Sequence, residues 1–117
     1  MKSRQAGFTM IELIVVIVIL GILAATALPK FVDMRTAAQQ SAVSGVAGAA
    51  ASAMSLNFAG CMLTNQASIA GKCVTPMTCA DVASIMQGGL PTGYTPSGTS
   101  PVCIMAAGGA SAPFAGM

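Results

Sequence analysis

The sequence predicts an α+β fold in which a long, kinked N-terminal α-helix packs on a small, disulfide-pinned antiparallel sheet. Three observations predict it. An apolar run over residues 8–28 continues past Pro29 into residues 31–56, which are rich in Ala, Met, Gln and small polar side chains and read as helix again. Four cysteines, Cys61, Cys73, Cys79 and Cys103, all follow that stretch. Around the last of them, Gly and Pro punctuate the chain on either side of one clear strand candidate, residues 102–105. The 117 residues leave room for one small domain, and hydrophobic residues make up 55% of them against 7% charged. A soluble monomer normally carries about a quarter charged residues, so this composition points to a membrane or an assembly.

In chain order, residues 1–7 form a short basic stub with Lys2 and Arg4. Residues 8–28 follow, about 21 residues or roughly 31 Å as a helix, which matches a hydrocarbon core of about 30 Å. The basic stub places the N-terminus in the cytoplasm and the bulk of the chain outside. Glu12 is the one charge in the run. A carboxylate near the middle of a bilayer costs roughly 2.5 to 3.5 kcal/mol, and by default it marks a functional site whose partner is to be found.

Three readings compete for this segment. One is a plain signal anchor. Another is a secretory signal, for which Ala25-Thr26-Ala27 offers a cleavage site, although Glu12 fits such a signal poorly. The third is a cut between Gly7 and Phe8 on the cytoplasmic side, which leaves the apolar segment attached and exposes an α-amino group on Phe8. That group is largely protonated at neutral pH, so a neighbouring subunit's cation can answer Glu12. At about 4 Å and an effective dielectric near 20 the pair gains roughly 4 kcal/mol before desolvation, comparable to the cost of burying the acid. The cut also removes Lys2 and Arg4, leaving Lys30, Arg35 and Lys72 against Glu12, Asp33 and Asp81. Side-chain charge then sums to zero, which favours self-association and argues against nucleic acid or anionic lipid as a partner.

The string Gly7-Phe8-Thr9-Met10-Ile11-Glu12-Leu13, with a short basic leader before it and an apolar helix holding Gly21, Pro29, Lys30 and Phe31 after it, resembles the leader junction of type IV prepilins. The resemblance is strong over residues 1–55 and loose beyond. Within the family, VVIVILGILAATALPKF is similar to short mannose-sensitive-haemagglutinin-type or related proteobacterial pilins. It implies a pilin fold, cutting after Gly7 by a prepilin peptidase that also N-methylates Phe8, and a subunit held in the inner membrane before the pilus assembly machinery builds it into an extracellular homopolymer. It also implies a stretch between Gly21 and Pro29 that loses helicity on assembly, the mundane alternative being a simple kink at Pro29. The domain organisation follows as leader 1–7, filament-core half-helix 8–28, second half-helix 29–57 and small C-terminal domain 58–117.

Between residues 43 and 53 the helix carries Gly45, Gly48 and Ala at most of the remaining positions. Such a smooth surface suits tight packing either on other subunits or on this chain's own sheet. Residues 57–60 read as its end, with Gly60 as a C-terminal cap. An even number of cysteines outside the membrane reads as two disulfides with three connectivities, among which spacing does not choose. The expected pairing is Cys61 with Cys73, closing the helix-to-loop connection, and Cys79 with Cys103, tying a short helix to a strand. A zinc site is the rival, but the chain has no His and no paired C-x-x-C knuckles.

Thr78 reads as the N-cap of a short helix over residues 79–87, with Asp81 in its first turn and Gly88-Gly89 stopping it. Pro91, Gly93, Pro96, Ser97, Gly98 and Pro101 predict turns around Tyr94, and the tail 106–117 predicts an extended or poorly ordered end. Two or three strands are expected in all. With no His and three acidic residues, nothing suggests catalysis, a metal or a cofactor. Beyond Pro29 only Asp33 and Asp81 are acidic, which lowers the alternative of a calcium-binding type II secretion pseudopilin. Four Phe and one Tyr, spread along the chain, make no continuous stack for electron conduction. The expected function is therefore structural: a type IV pilus subunit for attachment or twitching. An exported, membrane-tethered disulfide-rich binding domain is the alternative of another class.

Overall fold

A computed structural model describes residues 3, 4, 6–75 and 77–116, so Lys2 of the leader and Met117 of the tail lie outside the described residues. Helix α1 spans Met10–Leu63, and a 3₁₀ turn at Cys79–Asp81 leads into α2 at Val82–Ile85. Three strands follow: β1 at Thr95–Thr99, β2 at Val102–Ala107 and β3 at Ala110–Ala115. The chain divides into two compact units, residues 1–35 and 36–117, and α1 contributes to both.

In the first unit, α1 contains Gly21 and Pro29, and every residue from 10 to 35 is exposed. Its large apolar side chains range from 49% exposed at Val15 to 83% at Met10, so nothing in this unit covers them. The helix is long and apolar enough to cross a bilayer.

The second unit has a core of its own. Val43, Ala47, Ala50 and Met54, spaced four, three and four apart, put one stripe of α1 against Cys103 and Met105 of β2, Ala112 and Phe114 of β3, Cys79 and Val82. The stripe contains two alanines because the sheet lies close. Ser41, Ser44, Ser52 and Ser55 donate to the carbonyls four residues back, so their hydroxyls are satisfied within the helix.

The sheet is antiparallel with β2 in the centre. Thr95 lies opposite Ala106 and Thr99 opposite Val102; on the other side Val102 lies opposite Ala115 and Ala107 opposite Ala110. Gly108 and Gly109 form the two-residue β2–β3 hairpin at φ 58° and 85°, the positive-φ pair of a type I′ turn. The cysteines pair Cys61 with Cys73 and Cys79 with Cys103.

Four boundaries differ from the sequence reading. The helix passes through residues 57–60 and ends at Leu63, because Asn57 is clamped inside it: its side chain donates to the Val74 carbonyl at 3.1 Å and accepts from the Val74 N–H at 2.8 Å. Gly60 is a close-approach residue and not a cap, since a Cβ there would stand 1.8 Å from the Lys72 carbonyl oxygen. The chain turns instead at Asn65 and Gln66, both left-handed, with the Gln66 N–H bonded to the Cys61 carbonyl at 2.8 Å. The short helix stops at Ile85 and not at 87. Residues 95–99, expected as turns, form an edge strand, and the tail forms β3, its alternation burying Ala112 and Phe114 on the core face.

Candidate assembly site at the helix N-terminus

Residues 6–9 precede the helix in irregular backbone, and Phe8 is 89% exposed. The Gly7–Phe8 peptide therefore stands outside helical hydrogen bonding, and a Cβ at Gly7 would meet nothing within 4 Å.

The helix start is fixed by Thr9, which sequence reasoning passed over. Its backbone N–H donates to Glu12 Oε2 at 2.8 Å and its hydroxyl donates to the same oxygen at 2.9 Å. Glu12 answers with a long backbone bond, its N–H to Thr9 Oγ1 at 3.4 Å, and the Thr9 carbonyl accepts from the Leu13 N–H at 3.3 Å. This reciprocal arrangement is a capping box, and it satisfies donors that every helix N-terminus leaves over. The signal was available in Thr9-x-x-Glu12 immediately before an apolar run. Glu12 thus stands in the first turn of α1, where the positive end of the helix dipole also favours a carboxylate. Phe8, Ile11, Leu13, Val15 and Val16 line the apolar surface around it.

The remaining predicted positions lie elsewhere. Gly21 and Pro29 are inside α1, at or beyond its third turn, and a Cβ at Gly21 would meet nothing within 4 Å. The four cysteines all belong to the second unit and pin its loops and sheet.

Residues 2–28 match the model of the prokaryotic N-terminal methylation motif. The chain is 39% identical over 92 residues to the type IV narrow pilus major component PilA5 of Thermus thermophilus, an alignment that covers 79% of this chain and 69% of that protein. The chain belongs to the type IV pilin family. This pilin is also 54% identical over 43 residues to the type IV major alpha-pilin of Moraxella bovis, covering 37% of this chain and 27% of that one. It is 56% identical over 41 residues to the type IV major pilin PilE of Neisseria gonorrhoeae, covering 35% and 25% respectively. No solved structure matches it. Its long apolar helix, three-stranded antiparallel sheet and two disulfides make the pilin α+β fold.

Proposed function

We propose that this pilin is the major structural subunit of a type IV pilus for attachment or twitching. It is held in the inner membrane by residues 8–28 before assembly, is cut after Gly7 and N-methylated on Phe8 by a prepilin peptidase, and is polymerised by the pilus assembly machinery. The family match supports this reading over a secretion pseudopilin or a tethered binding domain. The observation that carries the mechanism is the capping box on an uncovered apolar helix.

Thr9 occupies Glu12 Oε2 from within the same chain. The carboxylate is therefore held at the helix start with Oε1 left to receive a cation. Cleavage after Gly7 creates that cation on Phe8 of each subunit, and the ammonium of a neighbour completes the pair once the helices pack side by side. An uncut subunit has an amide and not a charged amine at Phe8, so cleavage licenses polymerisation. Within the filament, the segment between Gly21 and Pro29 is the part of α1 that gives way, because Pro29 removes a backbone donor and Gly21 lowers helix propensity.

The test is the intact mass of the chain in filaments sheared from cells, run beside Glu12→Ala and Thr9→Val. A chain beginning at methylated Phe8 is expected, with Glu12→Ala processed normally but nearly absent from the sheared fraction. Thr9→Val is expected to assemble at reduced yield, since it loses the hydroxyl but keeps the backbone bond. Wild-type yield from Glu12→Ala would rule out the pairing, and a chain still starting at Met1 would rule out the pilus.

A further inference from the structure

We propose that Pro96 and Pro113 close the two free edges of the sheet to strand addition by a second copy of this chain. This is independent of the pilus reading above. A sheet edge presents a row of unpaired N–H and C=O groups, and proteins blunt it with charge, proline, a bulge or a cover. Charge is not used here, because no charged side chain follows Asp81. Strand β2, Val-Cys-Ile-Met-Ala-Ala, is a six-residue apolar segment without charge, Gly or Pro, the type that stacks into cross-β structure when its flanks allow it.

The prolines sit inside the two edge strands, Pro96 second in β1 and opposite Met105, Pro113 fourth in β3 and opposite Ile104. In a three-stranded antiparallel sheet, successive residues of the central strand bond to opposite neighbours. A proline cannot donate to the ladder, so its nitrogen has to face the free edge. The register meets that demand on both sides at once. Ile104 turns its backbone groups to Ser97 of β1 and Met105 turns its own to Ala112 of β3, which leaves Pro96 and Pro113 in the non-bonded pairs.

A second observation fixes which way β3 faces. The same alternation points the Ser111 backbone outward, and its carbonyl accepts from the Gln40 side-chain amide at 2.8 Å. That carbonyl is covered. The outward donors left on β3 are the N–H groups of Ser111 and Ala115. Donors on a free edge normally recur every second residue, about 6.8 Å, and the silent nitrogen of Pro113 stretches the gap to about 13.6 Å. An incoming strand that bonds one donor misses the next. The other edge strand, β1, is the shorter of the two and has the 3₁₀ turn Cys79–Asp81 against it, so Pro96 guards a shorter opening.

The experiment compares the full chain in detergent micelles as wild type, Pro113→Val, Pro96→Val and Pro113→Lys, with both disulfides verified by mass. Thioflavin fluorescence, sedimentation and the amide I band of the pellet are followed. Pro113→Val is expected to give thioflavin-positive pellets with a cross-β amide I band that wild type lacks, and Pro96→Val less of the same. Pro113→Lys restores the N–H but adds an edge charge, so it is expected to stay dispersed like wild type. A dispersed, thioflavin-negative Pro113→Val overturns the proposal. So does a Pro113→Lys that aggregates equally, since lost folding would then explain both. Sheared-filament yield, scored separately, decides the pilus reading whichever way these spectra fall.

Discussion

The two parts of α1 are both helical, yet they solve the burial of their side chains in opposite ways. Residues 10–35 carry large Ile, Val and Leu side chains on all sides, none of them buried. Residues 36–63 carry mostly Ala, Gly and Ser, with Val43, Ala47, Ala50 and Met54 buried in one stripe. The second part finds its partner in its own chain, a sheet that approaches closely enough to demand small side chains. The first part has no partner in its own unit. A helix that is apolar all round is stable only in lipid or among other helices, so this part is written for surroundings that the monomer does not contain. Both parts are helical; what differs is where the apolar surface finds its cover.

The sharpest way to break this contrast is to remove one apolar side chain from each part. Met54 is 2% exposed and Ile17 is 58% exposed. Met54→Ala is expected to cost about 2 to 5 kcal/mol through lost contacts and a cavity. That lowers the thermal midpoint of the second unit by on the order of 10 °C or more, read from the near-ultraviolet signal of Tyr94 in detergent. Ile17→Ala should leave that midpoint within the few tenths of a kcal/mol typical of surface changes, and should appear instead as a lower filament yield. Equal midpoint shifts would erase the distinction.

Glycines sharpen the same contrast within the second part. Gly60→Ala drives a Cβ into the Lys72 carbonyl oxygen and is expected to cost about 1 to 3 kcal/mol in chemical denaturation. At Gly48 a Cβ meets nothing within 4 Å, so Gly48→Ala is expected to gain up to about 1 kcal/mol from helix propensity alone. The smooth stretch 43–53 is therefore divided: Val43, Ala47 and Ala50 serve the protein's own sheet, whereas Gly45 and Gly48 face open space. If Gly48→Ala stabilises the monomer yet lowers filament yield, that open face is where another subunit packs.

What was legible in the residues follows a physical line. The helix and β2 announce themselves because propensity, apolar pattern and final structure agree there. Strands β1 and β3 do not, since Thr-Pro-Ser-Gly-Thr and Ala-Ser-Ala-Pro-Phe-Ala have little intrinsic strand preference. They become strands only by pairing with β2, a tertiary effect. One cue was present: Gly108-Gly109 between apolar residues, followed by Ala112 and Phe114 two apart, is a hairpin signal. The end of α1 was misplaced because Gly60 has two uses, cap and close approach, and sequence cannot separate them. Glu12 read as a lone charge awaiting a neighbour, whereas it already holds Thr9 and keeps only part of its carboxylate for anyone else.

The spacing of Thr9 and Glu12 recurs in the second unit as Thr78 and Asp81, and this second box offers a control on what such a cap does when no assembly depends on it. Asp81 Oδ2 accepts from the Thr78 hydroxyl and from the Thr78 N–H at 3.0 Å. Those two bonds, the hydroxyl's first, hold its carboxyl below the ordinary aspartate value of 3.8. A lowered carboxylate pKa means that folding favours the ionised form. The contribution is therefore complete above the unfolded-state value and is lost as pH falls through the lowered one. Thr78→Val removes the stronger bond and Asp81→Asn removes the charge, so each should flatten the acid limb of thermal unfolding and leave the midpoint near neutral pH only slightly lower. The effect is the smallest of the set because the pair is exposed and solvent competes for it. It should also leave filament yield untouched, where Thr9→Val does not. Should Thr78→Val depress assembly as much as Thr9→Val, helix capping in general, and not the cation-receiving carboxylate, would be what polymerisation needs.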